Sequence, residues 1–373
     1  MKCDVLIVGA GPSGSMAAKT IADENIDTIL IERSKDIGLP VRCAEGVNKF
    51  LFKDTGIQMN SSFIENKING TKIYYRDEIY DLNDEQWQGF TIDRNKFDCY
   101  LAEKAEQSGA KVVTSTKAVG LSKNRGKWVV DVISRGEMKT IEAKIIIGAD
   151  GFESNIGKWA NIKKRWGEND VFKCFELFAT CPKLQGTDRF HIFFGKQFYD
   201  GYGWIFPKKD KANIGVGVPL HCSAVDTFNK DFKVDKRYKE IIGDNCSIIE
   251  RRGGCVPMSG PNGLDQIVGD GIVLIGDAAG MVEPITGEGI SPAMISGIAA
   301  GEIVSSSIKS KNWDKIQLHK YESIWRNKRY MNTTLGKSMD SLLELKETFH
   351  YMFSDRASAE ERKTFIHTID ELT

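Results

Sequence analysis

The sequence predicts an α/β fold with α+β elements, in which a lobe of βαβ units is interrupted by an antiparallel-sheet lobe and followed by a C-terminal helical segment. Two observations support this prediction. Segments typical of buried strands and helices come in three separate pieces, near residues 4–31, 91–147 and 271–307. Within them, residues 91–107 and 292–307 are predicted to be helices and residues 140–147 a strand. The stretches between them, near residues 63–90 and 172–217, alternate weakly or are rich in aromatic residues, which is typical of antiparallel strands. A chain of 373 residues is long enough for two lobes.

The first piece is one βαβ unit. Residues 4–8 form a short β-branched apolar run, residues 13–23 carry apolar side chains at helical spacing, and residues 28–31 form a second buried strand. The first strand leads into a glycine-rich loop, Gly-Ala-Gly-Pro-Ser-Gly, at residues 9–14, and the second ends at Glu32.

This glycine-rich loop predicts a dinucleotide site. Gly9 permits the turn, Gly11 lets the backbone approach a pyrophosphate, and Gly14 lets helix and strand pack closely, while the helix N-terminus attracts phosphate. Glu32 can accept both hydrogen bonds from a ribose diol. The alternative is a tight strand-to-helix turn with no ligand.

A second motif favours FAD over NAD. A strand at residues 271–275 delivers Asp277, and a glycine-rich segment then leads into a helix. Because an FAD is long, a carboxylate here could hold the ribityl hydroxyls, and the next helix start could direct N–H groups to the N1–O2 edge of the flavin. Taken alone, Asp277 could instead be a helix N-cap.

Two further motifs are weaker when taken singly. Residues 148–154 contain Asp150 and Gly151 and could be an ordinary strand-ending turn. Residues 92–98 contain Arg94 and could be a helix start capped by Asp93.

Together and in this order, the four motifs resemble the flavoprotein superfamily of the aromatic hydroxylases. Two other stretches resemble the geranylgeranyl reductase family within it. They are Pro-Val-Arg-Cys-Ala-Glu-Gly at residues 40–46 and the Y-x-W-x-F-P segment at residues 202–207. The resemblance covers roughly residues 1–310. The family's Pro-Gly-Gly-Tyr before the tryptophan is Tyr-Asp-Gly-Tyr here, which predicts a different local turn.

The resemblance implies an FAD-dependent reductase that saturates isolated C=C bonds of geranylgeranyl chains in a membrane-lipid precursor. The hydride would come from reduced flavin N5, together with a proton. The implied FAD-binding residues are Gly9, Gly11, Pro12, Ser13, Gly14, Glu32, Arg33, Arg42, Cys43, Ala44, Arg94, Val119, Asp150, Gly151, Gly276, Asp277, Pro284, Gly287, Gly289 and Ile290.

The implied architecture has a Rossmann-type FAD-binding lobe in three parts, at residues 1–61, 91–165 and 262–310. An antiparallel-sheet substrate lobe, residues 62–90 and 166–261, interrupts it. A C-terminal helical segment, residues 311–373, follows. Its predicted apolar face is formed by Leu342, Leu343, Leu345, Phe349 and Phe353.

Cys43 and Glu45 are the predicted catalytic residues, because their loop follows Glu32 and should reach the flavin face. Cys43 could pack beside the alkene or take part in proton delivery, or it could be an inert buried cysteine. Arg42 could bind flavin or phosphate, or be a solvated surface charge.

Alternation along a strand places Tyr202, Trp204 and Phe206 on one face, where they and Pro207 would line a tunnel for a prenyl chain. The alternative is ordinary sheet core.

Composition narrows the function classes. Lys+Arg and Asp+Glu both number 51, which argues against nucleic-acid binding. The eight cysteines include no C-x-x-C pair and the histidines are scattered, so no metal site is predicted, and a disulfide is possible but not indicated. No apolar run approaches the roughly 20 residues that span a bilayer. The expected location is therefore cytoplasmic or peripheral to a membrane.

The expected partners are a prenyl lipid and an external electron donor, either a ferredoxin or a nicotinamide. Alternatives remain open: an FAD-dependent aromatic monooxygenase, a prenyl reductase acting on a quinone or chlorophyll precursor, and a flavin- or lipid-binding module without turnover.

Overall fold

The computed structural model describes residues 1–162, 166–260, 264, 266–326, 339–354 and 356–371. The strands are β1 (Val5–Val8), β2 (Thr28–Ile31), β3 (Gly46–Asn48), β4 (Ile64–Ile68), β5 (Gly70–Tyr75), β6 (Glu78–Leu82), β7 (Gly89–Ile92), β8 (Lys111–Val113), β9 (Thr116–Asn124), β10 (Lys127–Ser134), β11 (Glu137–Ala143), β12 (Ile145–Gly148), β13 (Val171–Thr180), β14 (Arg189–Phe194), β15 (Tyr202–Lys208), β16 (Lys211–Pro219), β17 (Ser247–Pro257), β18 (Val268–Gly269) and β19 (Ile272–Leu274). The helices are α1 (Pro12–Ala22), α2 (Leu51–Thr55), α3 (Arg94–Gln107), α4 (Asn155–Trp159), α5 (Ala224–Asp226), α6 (Lys236–Ile242), α7 (Ile290–Ser310), α8 (Lys315–Arg326), α9 (Met339–Met352) and α10 (Ala359–Glu371). The predicted fold class is confirmed.

A six-stranded sheet forms the first lobe, in the order β18-β19-β12-β1-β2-β8. Its central strands β1, β2 and β12 are parallel and fully buried, as their continuous β-branched runs predict. The carboxyl ends of neighbouring strands therefore lie at one edge of the sheet. That edge carries the glycine-rich loop after β1, Asp150 after β12 and Asp277 after β19.

Two predicted element boundaries were wrong. Residues 140–147 were predicted as one strand, but the chain leaves a three-stranded antiparallel sheet, β11-β10-β9, after Ala143 and joins the parallel sheet at Ile145. The alternating residues before this point have one exposed face, whereas residues 145–148 are fully buried. The helix predicted from residue 91 begins at Arg94, because Thr91 and Ile92 pair within β7 and Asp93 caps the helix.

The second lobe is a seven-stranded sheet in the order β17-β13-β16-β15-β14-β5-β6. It is antiparallel except where β14 runs parallel to β5. One face packs on an aromatic cluster that includes Phe198, Phe228 and Phe232. The opposite face is turned towards the first lobe, and a small sheet, β3-β7-β4, lies beside it.

The C-terminal helices pack on both lobes. Helix α8 contacts α7, and Phe349 of α9 and Phe353, just after α9, pack with Ile73 and Tyr75 of the second sheet. The side chains of Leu342 and Leu343, predicted for the same apolar face, lie outside the described residues, as do the predicted domain boundaries at residues 165 and 261.

Cys181 and Cys246 form a disulfide, which the sequence spacing did not indicate. The two residues are 65 positions apart, and their Cα atoms lie 4.5 Å apart because the end of β13 meets the segment after α6. Such a pairing depends on tertiary structure and cannot be deduced from spacing alone.

Candidate active site

Two adjoining cavities lie where the first sheet faces the second. A polar cavity of about 330 Å³ adjoins the glycine-rich loop and Glu32. An apolar cavity of about 400 Å³ extends from Cys43 to the aromatic face of β15. Gly11, Arg42, Arg94, Ala149, Gly151 and Asp277 line both cavities, so the two form one continuous elongated site.

The glycine-rich loop leaves room for a ligand. A Cβ atom at Gly9 would lie 2.3 Å from the carbonyl oxygen of Ala149, and one at Gly14 would lie 1.9 Å from that of Gly9, so these two glycines serve strand–helix packing. At Gly11 no atom of any residue other than Gly11 and its two chain neighbours lies within 4 Å of the position that a Cβ would take. Gly11 and the N-terminus of α1 therefore face open space, and a helix N-terminus in such a position would suit a pyrophosphate.

Glu32 is oriented at the far end of the polar cavity. Its carboxylate oxygens accept hydrogen bonds from the backbone N–H groups of Ala10 (3.0 Å) and Ser34 (2.8 Å). Each oxygen retains a lone pair for a ribose hydroxyl. The donor set of this cavity thus fits the adenosine and pyrophosphate part of FAD.

Asp150 and Asp277 differ in their surroundings. The Asp150 carboxylate accepts hydrogen bonds from the Ser154 hydroxyl (2.7 Å) and the Ile156 N–H (2.9 Å), so it stabilises its own turn beside the polar cavity. Asp277 lies at the junction of the cavities, on a short 3₁₀ turn before α7. Gly287, Gly289 and Ile290, at the start of α7, line the apolar cavity.

The predicted site residues that line neither cavity are Gly14, Val119, Pro207, Gly276 and Pro284. Near Val119, the polar cavity is lined instead by Thr116, Lys117 and Ala118. All other predicted residues, including Pro12, Ser13, Arg33, Arg42 and Ala44, line one cavity or both.

Cys43 lies on the apolar cavity beside α3. Its sulfur accepts a hydrogen bond from the Glu45 N–H (3.2 Å). Burial raises the pKa of the Cys43 thiol, and the nearby Arg94 guanidinium opposes that rise. Arg94 forms a bidentate ion pair with Asp98, in which Nε and Nη2 each donate a hydrogen bond of 2.9 Å to one carboxylate oxygen. The thiol therefore keeps its proton at neutral pH.

Glu45 anchors the same loop. Its side chain is 2% exposed and its φ is +64°. The carboxylate accepts hydrogen bonds from the backbone N–H of Arg94 (2.9 Å) and from side chains of three strands: Lys208 (2.8 Å), Asn213 (2.8 Å) and Arg252 (3.2 Å). These contacts tie the Cys43 loop to α3 and to β15, β16 and β17.

The aromatic residues of β15 form one wall of the apolar cavity. Tyr202, Trp204 and Phe206 all line it. On the neighbouring strand β16, a Cβ at Gly215 would lie 2.4 Å from the Trp204 ring, so glycine allows the ring to lie flat on the sheet. Pro207 pairs with Ala212 and lies on the opposite face, with Ile205 and the aromatic cluster. Strand alternation turns Pro207 away from the apolar cavity, and it is not among the residues that line this cavity.

Comparisons with known proteins place the chain in a family. The FAD binding domain family matches residues 2–323. The digeranylgeranylglycerophospholipid reductase of Methanocaldococcus jannaschii is 36% identical over 329 residues, which are 88% of this chain and 83% of the relative. The chain belongs to the geranylgeranyl reductase family of FAD-dependent oxidoreductases. The enzyme's cofactor is FAD.

Two other proteins are also similar to this reductase. The digeranylgeranylglycerophospholipid reductase of Methanothrix thermoacetophila is 35% identical over 362 residues, 95% of this chain and 89% of the relative. The crystal structure of a geranylgeranyl bacteriochlorophyll reductase-like protein from Thermoplasma acidophilum superposes with a TM-score of 0.80 at 28% identity. The superposition covers 100% of this chain and 99% of the Thermoplasma acidophilum chain.

The reductase has a buried acid that the sequence reading missed. Glu176 of β13 lines the apolar cavity and is 4% exposed. Burial raises its pKa to about 8, although Arg252 opposes the rise. Cys174, two residues earlier on the same face, also lines the cavity. The available signal was a carboxylate within an apolar, aromatic-rich strand, where a charged side chain needs an explanation.

No helix among the described residues is long and apolar enough to cross a bilayer. No group of three or more His, Cys, Asp or Glu side chains among them could hold a metal ion.

Proposed function

We propose that the reductase saturates isolated C=C bonds of geranylgeranyl chains in a glycerophospholipid precursor. One observation carries this proposal: an apolar cavity walled by Tyr202, Trp204 and Phe206 opens directly into the FAD site. A site of this volume and lining suits an apolar chain. The head group is proposed from the two curated relatives described above, since both are digeranylgeranylglycerophospholipid reductases.

FAD would lie across both cavities. Glu32 would hold the ribose, Gly11 and the start of α1 the pyrophosphate, and Asp277 the ribityl hydroxyls. The start of α7 would face the flavin N1–O2 edge, where its N–H groups favour negative charge. When bound and reduced, FAD supplies hydride from N5.

The protein's own contribution is positioning and exclusion of water. An isolated alkene has no carbonyl group to stabilise developing charge, so the double bond must be held close to the hydride source while a proton reaches its other carbon. The aromatic wall would hold the prenyl chain, and Cys43 would pack against the reacting alkene. Glu45 would act as a positioning residue, because its contacts fix the loop that carries Cys43.

We further propose that an external donor, a ferredoxin or a transiently bound nicotinamide, reduces the flavin. The prenyl lipid would be reached by peripheral contact with a membrane surface.

The test is anaerobic incubation of dithionite-reduced protein with candidate prenyl lipids, followed by mass spectrometry. We expect the geranylgeranyl glycerophospholipid to gain two hydrogen atoms for each double bond reduced, and no gain with oxidised protein. Turnover only of prenyl quinones or chlorophyll precursors would contradict the assigned head group. Coupled consumption of oxygen and NAD(P)H on adding a small phenol would indicate a monooxygenase. Flavin binding without turnover on any of these would indicate a binding module.

A further inference from the structure

Glu176 occupies the middle of the cavity-facing sheet. In the register of β13 it lies opposite Gly215 of β16 on one side and Arg252 of β17 on the other. Both neighbouring strands thus leave the carboxyl group facing the cavity, which Cys43 and Trp204 also line. Any prenyl chain against the aromatic wall would pass beside this acid.

Glu176 lies in surroundings whose described residues provide no hydrogen bond to its carboxyl group. Neither carboxyl oxygen has a hydrogen-bond partner among the residues that the structure describes. The nearest cationic atom is Nη1 of Arg252 at 3.7 Å, and Arg252 already donates to Glu45 and, at 2.7 Å, to Glu250. A carboxylate without hydrogen bonds in an apolar cavity is costly, whereas the neutral acid is tolerated there.

The titratable and charged groups that act on Glu176 come from several elements. They are Arg252 and Glu250 of β17, Lys208 of β15, Glu45 of the loop before β3, and the thiols of Cys174 and Cys43. Desolvation outweighs all of them and brings the pKa of Glu176 to about 8. The group is therefore mostly protonated at neutral pH.

We propose that Glu176 is the proton donor of alkene reduction. Its O–H bond breaks as a C–H bond forms on one alkene carbon, while the other alkene carbon receives the hydride and the reduced flavin loses two electrons. The resulting carboxylate lies beside Arg252 and regains a proton from water between turnovers. This role rests on the proposed function.

Glu176 is better suited to this role than Cys43. A general acid is most effective when its pKa lies near the working pH, because it is then both protonated and ready to release the proton. The pKa of Glu176 is about 8, whereas burial raises the pKa of Cys43 from a starting value of 9.0. Cys43 is then left to pack against the alkene.

The test compares Glu176→Gln with Glu250→Gln by anaerobic stopped flow. Glutamine keeps the size of the side chain but removes the acidic proton. Glu250 shares the contact with Arg252 but lies 45% exposed, outside the cavity, so it is a matched control. Dithionite-reduced protein is mixed with geranylgeranyl glycerophospholipid in detergent, and flavin reoxidation is followed from about pH 6 to about pH 9, which brackets the pKa of a donor near 8.

We expect Glu176→Gln to slow reoxidation by about 10²-fold or more and to abolish its pH dependence around pH 8. The wild type and Glu250→Gln should both slow as the pH rises through about 8. Equal reoxidation rates in Glu176→Gln and Glu250→Gln would overturn the role of Glu176 as proton donor and would leave the proposed function standing. No reoxidation of the wild type by any prenyl lipid would overturn the proposed function and this role with it.

A second readout does not depend on turnover. Infrared difference spectra of the oxidised holoenzyme should show protonated-carboxyl absorbance that falls as the pH is raised through about 8. Glu176→Gln should lose the part of this absorbance that Glu176 contributes and keep the part from Glu283, whose pKa burial also raises to about 8. If that variant does not fold, the wild type still decides the matter. A reoxidation rate that stays flat through this pH range would overturn the proposal.

Discussion

Two glutamates on the apolar cavity show how surroundings assign roles to chemically identical side chains. Glu45 receives hydrogen bonds from one backbone N–H and three side chains, whereas Glu176 receives none from the described residues. The first arrangement fixes an anion in place, and the second favours a neutral acid. Sequence reasoning named Glu45 as catalytic because its loop leads from Glu32 towards the flavin. The hydrogen-bond donors that β15, β16 and β17 supply to Glu45 cannot be deduced from the sequence, because these strands lie far along the chain.

Asp277 provides the first prediction at this scale. Asp277→Ala should weaken FAD binding by roughly 10- to 150-fold, because each charge-assisted hydrogen bond contributes about 1.5–3 kcal/mol. Asp231→Ala, an exposed position, serves as the control. The measurement is FAD titration of the apo-proteins, with thermal midpoints to check folding. Equal affinities in both variants would remove Asp277 from the cofactor site.

Cys43 provides the second prediction. Cys43→Ala and Cys43→Ser should retain FAD and accept electrons from dithionite normally, since the thiol is not needed for either. Lipid-driven reoxidation should slow by less than about 10-fold, because only a packing contact is lost while the proton donor remains. Stopped-flow traces on folded variants measure this. A far slower alanine variant, with serine partly active, would make the thiol the proton donor instead.

At the scale of elements, two glycines of the N-terminal strand–loop–helix unit have different roles: Gly14 allows close packing, and Gly11 faces open space. Gly14→Ala should lower the thermal midpoint of the apo-protein, because its Cβ would lie 1.9 Å from the Gly9 carbonyl oxygen. Gly11 has φ −73°, which alanine adopts readily, and its Cβ would meet only open space, so Gly11→Ala should fold normally but bind FAD more weakly. Equal losses of stability in the two variants would contradict this division.

Helices and strands were predicted correctly where the local hydrophobic pattern agrees with the burial seen in the structure. The strand predicted at residues 28–31 matches β2, and the helix predicted at residues 292–307 lies within α7. The prediction failed at residue 144, where an alternating strand of one sheet passes directly into the apolar strand of another without a turn signal. It also missed the parallel pairing of β14 with β5, since pairing partners are chosen by the tertiary fold.

At the scale of the whole molecule, the FAD end of the site was predictable and the substrate end only partly so. Gly11, Glu32 and Asp277 carry local motifs, so their placement around one cavity could be anticipated. Glu176 and Arg252 carry none, and they reach the cavity only because β13, β16 and β17 pair far along the chain. The Cys181–Cys246 pair has the same origin.

Membrane contact gives the fourth prediction. The proposed substrate carries apolar chains that partition into a bilayer, and no helix among the described residues could cross one. The enzyme should therefore bind vesicles containing the prenyl lipid and be released by alkaline carbonate, as expected for surface contact. Activity that stays with the vesicles after the wash would argue for integral insertion.

The pH dependence of stability gives the last prediction. Burial raises the pKa values of Glu176 and Glu283 from 4.5 to about 8, so between these values the folded protein holds two protons that the unfolded chain has lost. Their contribution to the free energy of unfolding is therefore complete below about pH 4.5, declines as the pH rises and is gone above about 8. His191 acts in the opposite direction: burial lowers its pKa from 6.5 to about 4, so its contribution is lost as the pH falls below 6.5.

Urea unfolding between about pH 6.5 and about pH 8 thus isolates the two glutamates. The wild type should lose stability steadily across this range, because each raised carboxyl group favours the folded state less as the pH increases. The double variant Glu176→Gln, Glu283→Gln should show a flatter dependence, since neither glutamine titrates. Glu250→Gln, which changes an exposed carboxylate, should follow the wild type. If the double variant instead follows the wild-type slope, the two buried carboxyl groups are not protonated in the folded enzyme, and Glu176 could not serve as the acid of the reaction.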